Sequence, residues 1–495
     1  MSWLAPPNAK STVKVSQSDF RKRKEMFLEF IYYVFDSLLI PLVRSNFHVT
    51  ESNVHRNRLF FFRHDVWRSL TEPAMSKLKL TMFEEIRSDK ARRLLDARPL
   101  GFSQIRLLPK QTGFRPIMNL RRRTTKLQNG RVLLGRSINS VMAPVFNMLS
   151  YEKGKQPERL GSALFSVGDI YPKLKSFKSK LQGLGKKETP LFFAKVDVQS
   201  CFDTIPQRRV IRLMEQLASE NEYRIARHAE IKPPEQSSGA FVGCAPKPAR
   251  KFVANARAAT DFINFDQALD TGPAVGKKNV VFVDSVVQTF QDREKLLDLL
   301  EEHVERNVVK IGKKFFRQKH GIPQGSVLSS LLCNFFYADL ERECLGFLED
   351  RGSILLRLID DFLLITAVKE HARQFLRIMH DGSEKFGIKV NPGKSLVNFE
   401  TSVGGVEIPQ LTGGTRFPYC GNLIDTKTLE ITKDRNRRKG TGKYQTLLLP
   451  VYGILKCSSD GRLPDSGDLK GPREDIPSQS VKVSRPNNLD IYGLS

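Results

Sequence analysis

Asp197, Asp360 and Asp361 are the residues of this 495-residue chain best placed to do chemistry, because each one ends or interrupts a run of apolar residues. The first closes LFFAKVD, and the other two stand in the middle of ILLRLIDDFLLIT. An acid pair flanked on both sides by Leu and Ile predicts a β-hairpin with its charges at the tip, since burying an unpaired charge there costs several kcal/mol. Carboxylates held on rigid strands suit hard divalent cations such as Mg²⁺, which take oxygen ligands. Two such ions roughly 3.5 to 4 Å apart can clamp the attacking and the leaving oxygen of a phosphoryl transfer.

The elements that must position these acids are legible around them. Residues 1 to about 97 read as mostly helical, and RNRLFFFRHDVW (56 to 67) mixes three aromatics with Arg and His. That segment suits either a core strand with polar flanks or a surface for single-stranded RNA. SQIRLLPK and FRPIMNL form a hairpin around a turn containing Gly113, carrying Arg106, Lys110 and Arg115 toward phosphates. Arg121, Arg122, Arg123, Lys126 and Arg131 extend the positive surface. A strand over 191 to 196 delivers Asp197, and a helix follows with Val210, Leu213, Met214 and Leu217 on its buried face. Residues 218 to 312 form a mixed insertion containing the strand-like VVFVD and the helical EKLLDLLEEHVERN. HGIPQGS (320 to 326) is a Gly/Pro turn into a helix whose Leu328, Leu331, Leu332, Phe335 and Phe336 fill the core. The acid hairpin, a helix from His371 to His380, KVNPGKSLVNFE and a hairpin at FPYCGNLIDTKTLEI follow, and 457 to 495 reads as a disordered tail.

Composition narrows the partners. The chain carries 80 Lys and Arg against 53 Asp and Glu, a net charge of +27, which favours a polyanion such as nucleic acid. Six cysteines (201, 244, 333, 344, 420, 457) form no CxxC pair and predict free thiols in a reducing compartment, with no structural zinc site. Met26 to Val43 is interrupted by Glu29, Asp36 and Pro41 and has Met26, Phe27, Phe30, Ile31, Val34 and Leu38 at helical spacing, so a buried amphipathic helix is expected and a membrane partner is not. The first ten residues contain two prolines and no apolar run of a signal peptide. RKRK (21 to 24) and RRK (437 to 439) suit nuclear import signals as well as solvated faces or phosphate contacts.

These segments together resemble reverse transcriptases of the right-hand polymerase class, and among them the telomerase reverse transcriptase family, of the fungal kind. FFFRHDVWRSL resembles that family's T motif, IRLLPKQTGFRPIMNL its motifs 1 and 2, KVDVQSCFDTIP motif A, HGIPQGSVLSSLLCNFFYADLE motif B′, LLRLIDDFLLIT motif C, GIKVNPGKSLVNF motif D and FPYCGNLIDT motif E. The resemblance covers about residues 25 to 432. The 127 positions from Asp197 to Gln324 leave room for the family's insertion in fingers, and Leu358 stands where many other reverse transcriptases carry an aromatic residue.

The resemblance implies an α+β fold of right-hand fingers and palm, an antiparallel palm sheet with flanking helices, preceded by a mostly helical RNA-binding domain. It implies an RNA-binding part over 1 to 97 with the T motif at about 56 to 70, fingers and palm over 98 to 432, and a thumb remnant with the tail over 433 to 495. Asp197, Asp360 and Asp361 with the Val198 carbonyl would hold two Mg²⁺ ions, and Lys394 would protonate or bind pyrophosphate. Lys110 and Arg115 would hold the nucleotide's phosphates, and Phe202 would press on the sugar 2′ position. Gln324 and Gly325 would line the nascent base pair, and Tyr419, Cys420 and Gly421 would grip the primer. Phe60, Phe61, Phe62, Arg63 and Trp67 would bind RNA, while Arg357 is given only the task of countering the aspartates. The implied activity is RNA-templated addition of deoxynucleotides to chromosome 3′ ends at the telomere, in the nucleus. Its partners would be telomerase RNA, single-stranded telomeric DNA, deoxynucleoside triphosphates and accessory proteins. The family's upstream DNA-gripping domain and most of its thumb extension have no counterpart in the sequence, so a non-polymerising RNA-binding scaffold is the rival expectation. A retroelement reverse transcriptase is a further one.

Overall fold

Each apolar run beside the acids becomes a strand because both of its faces are covered. The computed structural model describes residues 16–435 apart from 53–57, 111–112, 129–130, 186–188, 234–247, 271–276, 351 and 383–384. The expected tail, RRK at 437 to 439, Cys244, Cys457, nearly all of the expected thumb remnant, and the side chains of Lys126 and Arg131 lie outside the described residues. The palm sheet has four strands in the order Ser353–Leu358, Asp361–Thr366, Phe192–Asp197 and Leu396–Val397, all antiparallel. Along the central strands Ala194, Val196, Phe362 and Leu364 enter the main core, while Phe193, Leu363 and Ile365 enter a second one. This two-sided burial explains why the runs are continuous rather than alternating.

The helices Gln207–Leu217, Ser329–Cys344 and Lys369–Asp381 contribute Val210, Met214, Leu332, Phe336, Phe375 and Leu376 to the main core. The opposite core is closed by Phe417, Tyr419 and Ile424 from the hairpin of Arg416–Tyr419 and Asn422–Asp425, to which Ile431–Lys433 adds a third strand. A five-stranded fingers sheet runs Phe83–Ile86, Lys314–Gln318, Val308–Ile311, Ser103–Pro109, Phe114–Met118. The chain is thus of the α+β class, with mostly antiparallel sheets.

Between Asp197 and Gln324 a separate three-stranded sheet is built from Glu222–Lys232, flanked by Ala249–Ala258 and Val281–Asp292. It is tied down by Glu152, whose buried carboxylate accepts hydrogen bonds from the Tyr223 hydroxyl (2.6 Å) and from the Ser219 amide and hydroxyl (2.9 Å each). The helix that follows, Arg293–Glu305, buries Leu296, Leu300 and Val304 in the main core.

Two expectations are corrected here. Residues 26 to 43 do form a helix, within Gln17–Asn46, yet no residue of it is buried: Met26 is 68% exposed and Phe30 62%. Its apolar residues run round the helix rather than along one stripe, and a π-helical segment, Val34–Leu39, shifts the row midway. By length and composition alone this helix could cross a membrane. The second correction concerns Arg357, which does not counter the aspartates. It is wholly buried, with Nε donating to Glu341 (2.5 Å), Nη1 to the Asn334 side chain (2.9 Å) and Nη2 to the carbonyls of Asn334 (3.0 Å) and Leu160 (3.2 Å). Glu341 also accepts from the Ser162 amide and hydroxyl at 2.7 Å each, so the buried pair is fully engaged.

Glu341→Ala would leave the Arg357 guanidinium buried without its counter-ion and is expected to cost about 3–5 kcal/mol of stability. Glu349→Ala, at an exposed position, is expected to change stability by no more than about 0.5 kcal/mol. Denaturation midpoints of the two variants measure this, and equal midpoints would contradict the assignment.

Candidate active site

The acid hairpin turns through only Ile359 and Asp360, because Leu358 and Asp361 are register partners. Ile359 takes a φ of 61°, a conformation that costs a β-branched residue strain. On its other side Asp361 is the register partner of Asp197, and the Val198 amide donates to the Asp360 carbonyl at 3.1 Å. The three carboxylates expected from the sequence therefore converge at one end of the palm sheet. They are half-buried there rather than standing free at a tip.

Their crowding has an electrostatic signature. Desolvation first, then the charges of Asp361 and Asp197, push the Asp360 carboxyl up to about 6. The Cys201 thiol donates to Asp360 at 3.6 Å and the Cys420 thiol to Asp361 at 3.7 Å. Cys420 itself is pushed up to about 12 by burial and by Asp361. Lys394 reaches Asp197 at 3.3 Å from the turn that begins at Asn391.

Among the described residues no three His, Cys, Asp or Glu side chains form a ready-made metal cage. The donor set nevertheless fits Mg²⁺, which keeps several waters and is bound through one or two carboxylates plus substrate phosphates. Hard oxygens from Asp197, Asp360, Asp361 and the Val198 carbonyl are grouped by the sheet register, and the burial and mutual repulsion that raise Asp360 are what a bound cation would offset.

The fingers supply the opposite charge. Lys110 and Arg115 sit on the hairpin of Ser103–Pro109 and Phe114–Met118, where Leu108 faces Arg115 in register and the Lys110 amide donates to the Gly113 carbonyl at 2.9 Å. Desolvation, then Arg115 and Lys394, lower the Lys110 pKa, while Asp203 and Asp197 oppose the shift. Lys110, Arg115, Lys394 and the acids thus share one electrostatic neighbourhood.

Gln324 and Gly325 join fingers to palm. The Gln324 carbonyl accepts from the Met118 amide at 2.9 Å, and its side-chain amide donates to Asp203 at 2.8 Å. Gly325 has a φ of 109°, and a Cβ there would lie 2.6 Å from the Met118 carbonyl, so no other residue fits. Phe202 is half-buried at the edge of the main core, and its carbonyl accepts from the Ile322 amide at 2.7 Å.

The three residues at the FPYCG turn divide. Tyr419 does not offer its ring to a primer: it is 1% exposed, and its hydroxyl donates to the carbonyls of Asp361 (3.0 Å) and Leu356 (3.3 Å), bracing the acid hairpin from below. Cys420 and Gly421 form the turn itself with φ of 47° and 81° and are only partly buried.

The aromatic segment also divides. Leu59–Arg63 pairs with Phe47–Glu51, leaving Phe61 and Arg63 exposed and Phe60 and Phe62 half-buried. Arg63 pairs with Asp65 at 2.9 Å. Trp67 stacks on His48 at 4.2 Å and meets Phe62 and the fingers residue Phe114 at 5.1 and 5.7 Å, so its ring is taken up in joining the two parts.

Asp203 joins the site through Gln324, a place the sequence does not assign to it. It stands six positions after Asp197, and nothing local marks a partner 121 positions away.

With the geometry in view, comparison with known proteins gives concordant results. Residues 1–78 match the model of the telomerase ribonucleoprotein complex RNA-binding domain, and 282–408 that of reverse transcriptase (RNA-dependent DNA polymerase). The second span contains Gln324, Asp360, Asp361 and Lys394 but not Asp197. The chain is 30% identical over 441 residues to the telomerase reverse transcriptase of Mus musculus, covering 87% of this chain and 38% of that protein. It is 32% identical over 446 residues to that of Bos taurus, with 88% and 38% covered. The chain therefore spans about two fifths of the length of these relatives. Its fold is similar to the structure of telomerase from Candida albicans in complex with a TWJ fragment of telomeric RNA, at a TM-score of 0.60, 19% identity and coverage of 91% of this chain and 64% of that one. Apo telomerase from Candida tropicalis gives a TM-score of 0.60 at 21% identity, covering 86% and 63%.

The raised Asp360 pKa carries a signed prediction for the metal-free chain. The unfolded carboxyl ionises near its ordinary 3.8 and the folded one near 6. The stability contributed by the neutral acid is therefore present below about 4 and is lost as pH rises through about 6. Asp360→Asn, in chelator, is expected to raise the melting temperature by about 2–4 °C at pH 8 and by little at pH 4. Equal shifts at the two pH values would contradict the crowding.

Proposed function

We propose that this chain, a member of the telomerase reverse transcriptase family, is the catalytic core that copies a bound telomerase RNA onto chromosome 3′ ends by RNA-directed nucleotidyl transfer. The observation that carries the reading is the register of Asp197 against Asp361 with Asp360 in the adjoining turn, beside a cationic fingers hairpin. We assign residues 1–97 to RNA binding, with Phe61 and Arg63 as the exposed contacts, and 98–432 to fingers and palm with the insertion at about 218–312. Work at chromosome ends places the protein in the nucleus.

The reaction is an in-line attack by the primer 3′-hydroxyl on the α-phosphate of a deoxynucleoside triphosphate. Asp197, Asp360, Asp361 and the Val198 carbonyl would hold two Mg²⁺ ions, which when bound would lower the hydroxyl's pKa and stabilise charge on the departing pyrophosphate. Lys110 and Arg115 grip the triphosphate and neutralise the charge that grows on it. Lys394 pairs with Asp197 at 3.3 Å, and the incoming phosphates compete for its ammonium as the pyrophosphate leaves. Phe202 excludes a ribose 2′-hydroxyl by its bulk. Gln324 and Gly325 bring backbone close to the new base pair, and the Cys420–Gly421 turn supports the primer end above the acids it touches. Base pairing selects the nucleotide while the protein reads charge and backbone shape, so binding weakens with salt.

Asp360→Ala is expected to abolish labelled deoxynucleotide incorporation on an RNA–DNA hybrid while leaving RNA affinity unchanged. Incorporation by that variant would overturn the site, and RNA binding without incorporation by the parent would leave the scaffold reading. Phe202→Ala is expected to admit ribonucleotides, and unchanged discrimination would return Phe202 to a packing role.

A further inference from the structure

The turn CFDTIP places a carboxylate that the chemistry above does not use. Asp203 is fixed from several directions: its amide donates to the Ser200 carbonyl at 2.7 Å, and its carboxylate accepts from Gln324 Nε2 at 2.8 Å. Gly321 packs so closely on this turn that a Cβ would lie 2.2 Å from the Phe202 carbonyl and 2.6 Å from the Asp203 Cα. Through the Gln324 carbonyl and the Met118 amide (2.9 Å), the same contact reaches the strand that carries Arg115. With Nε2 committed to Asp203, the other amide atom of Gln324, Oε1, is buried and has no hydrogen-bond partner.

We propose that Asp203 is a positioning residue of the nucleotide site: it orients Gln324 and supplies the counter-charge for Lys110 and Arg115 until a triphosphate takes its place. Burial raises the Asp203 carboxyl above its ordinary value, while the Gln324 hydrogen bond, Lys110 and Arg115 oppose that shift and favour its ionised form. A fixed anion there repels the polyphosphate that the two cations attract. It therefore weakens ground-state grip on phosphates and hastens departure of pyrophosphate after transfer. This inference rests on the polymerase reading and names the residue that sets how tightly the site holds its phosphate ligands.

The test is competition of inorganic pyrophosphate against a fluorescent deoxynucleoside triphosphate on the full chain with an RNA–DNA hybrid, Mg²⁺ and a chain-terminated primer. Asp203→Asn keeps an acceptor for Gln324 and loses the charge, and it should tighten pyrophosphate binding on the order of five- to tenfold. Gln324→Glu adds a charge at the same place and should weaken it by a similar factor. Opposite signs in two variants of one contact would not follow from a loosened turn. An Asn variant that melts like the parent and binds pyrophosphate within twofold of it overturns the proposal. So does weakening by both variants, which marks a purely structural contact. A parent that binds phosphates with this charge dependence yet incorporates nothing overturns the polymerase reading alone, and a parent that binds neither ligand overturns both.

Discussion

Like-charge repulsion between carboxylates at one end of the palm sheet is the constraint on which the rest of the structure depends. Asp197 and Asp361 are direct register partners, and opposed like charges destabilise a strand pair. Asp360 is added through a two-residue turn that forces Ile359 into the left-handed region. A hairpin carrying this strain and charge needs support on every side. Tyr419 hydrogen-bonds its backbone from below, and the 160–164 segment and Arg357 hold its outer strand. Helix Ser329–Cys344 contributes Glu341 and Asn334 to the same network. Buried framework thus offsets a destabilised site, as expected where function rather than stability fixes the residues.

The same logic orders the polar groups around the acids. Cations on the fingers hairpin and in the Lys394 turn meet anions on the palm, with Gln324 and Asp203 at the junction. Close backbone approaches make that junction rigid. Gly321 lies against Phe202, Gly325 against Met118, and Gly387, at φ +60°, has only 2.2 Å between its would-be Cβ and the Thr204 carbonyl. Each of these glycines removes a side chain so that elements distant in sequence can touch, and at Gly325 the approach is to the fingers strand Phe114–Met118.

What the sequence revealed follows physical type. Acids inside apolar runs stand out because burial without a task is costly, and the strands, the Gln-Gly turn and the buried helix faces carry strong periodicity. Long-range pairings left no such mark. Arg357 lies beside the acids in sequence but spends its charge on Glu341 of the helix Ser329–Cys344, and Tyr419 resembles a primer contact while its ring fills a core. Gln324 and Asp203 meet across 121 positions. Helix Gln17–Asn46 has core-like composition without burial, because periodicity reports an apolar surface and not what covers it.

A divalent cation would complete the site formed by the three mutually repelling carboxylates. Titration of Mn²⁺, an oxygen-seeking and paramagnetic stand-in for Mg²⁺, into the chain with an RNA–DNA hybrid tests it directly by electron paramagnetic resonance. Bound Mn²⁺ is expected in the parent, with loss of that population when Asp197 and Asp361 are both replaced by Asn. Equal Mn²⁺ binding by parent and double variant would contradict it.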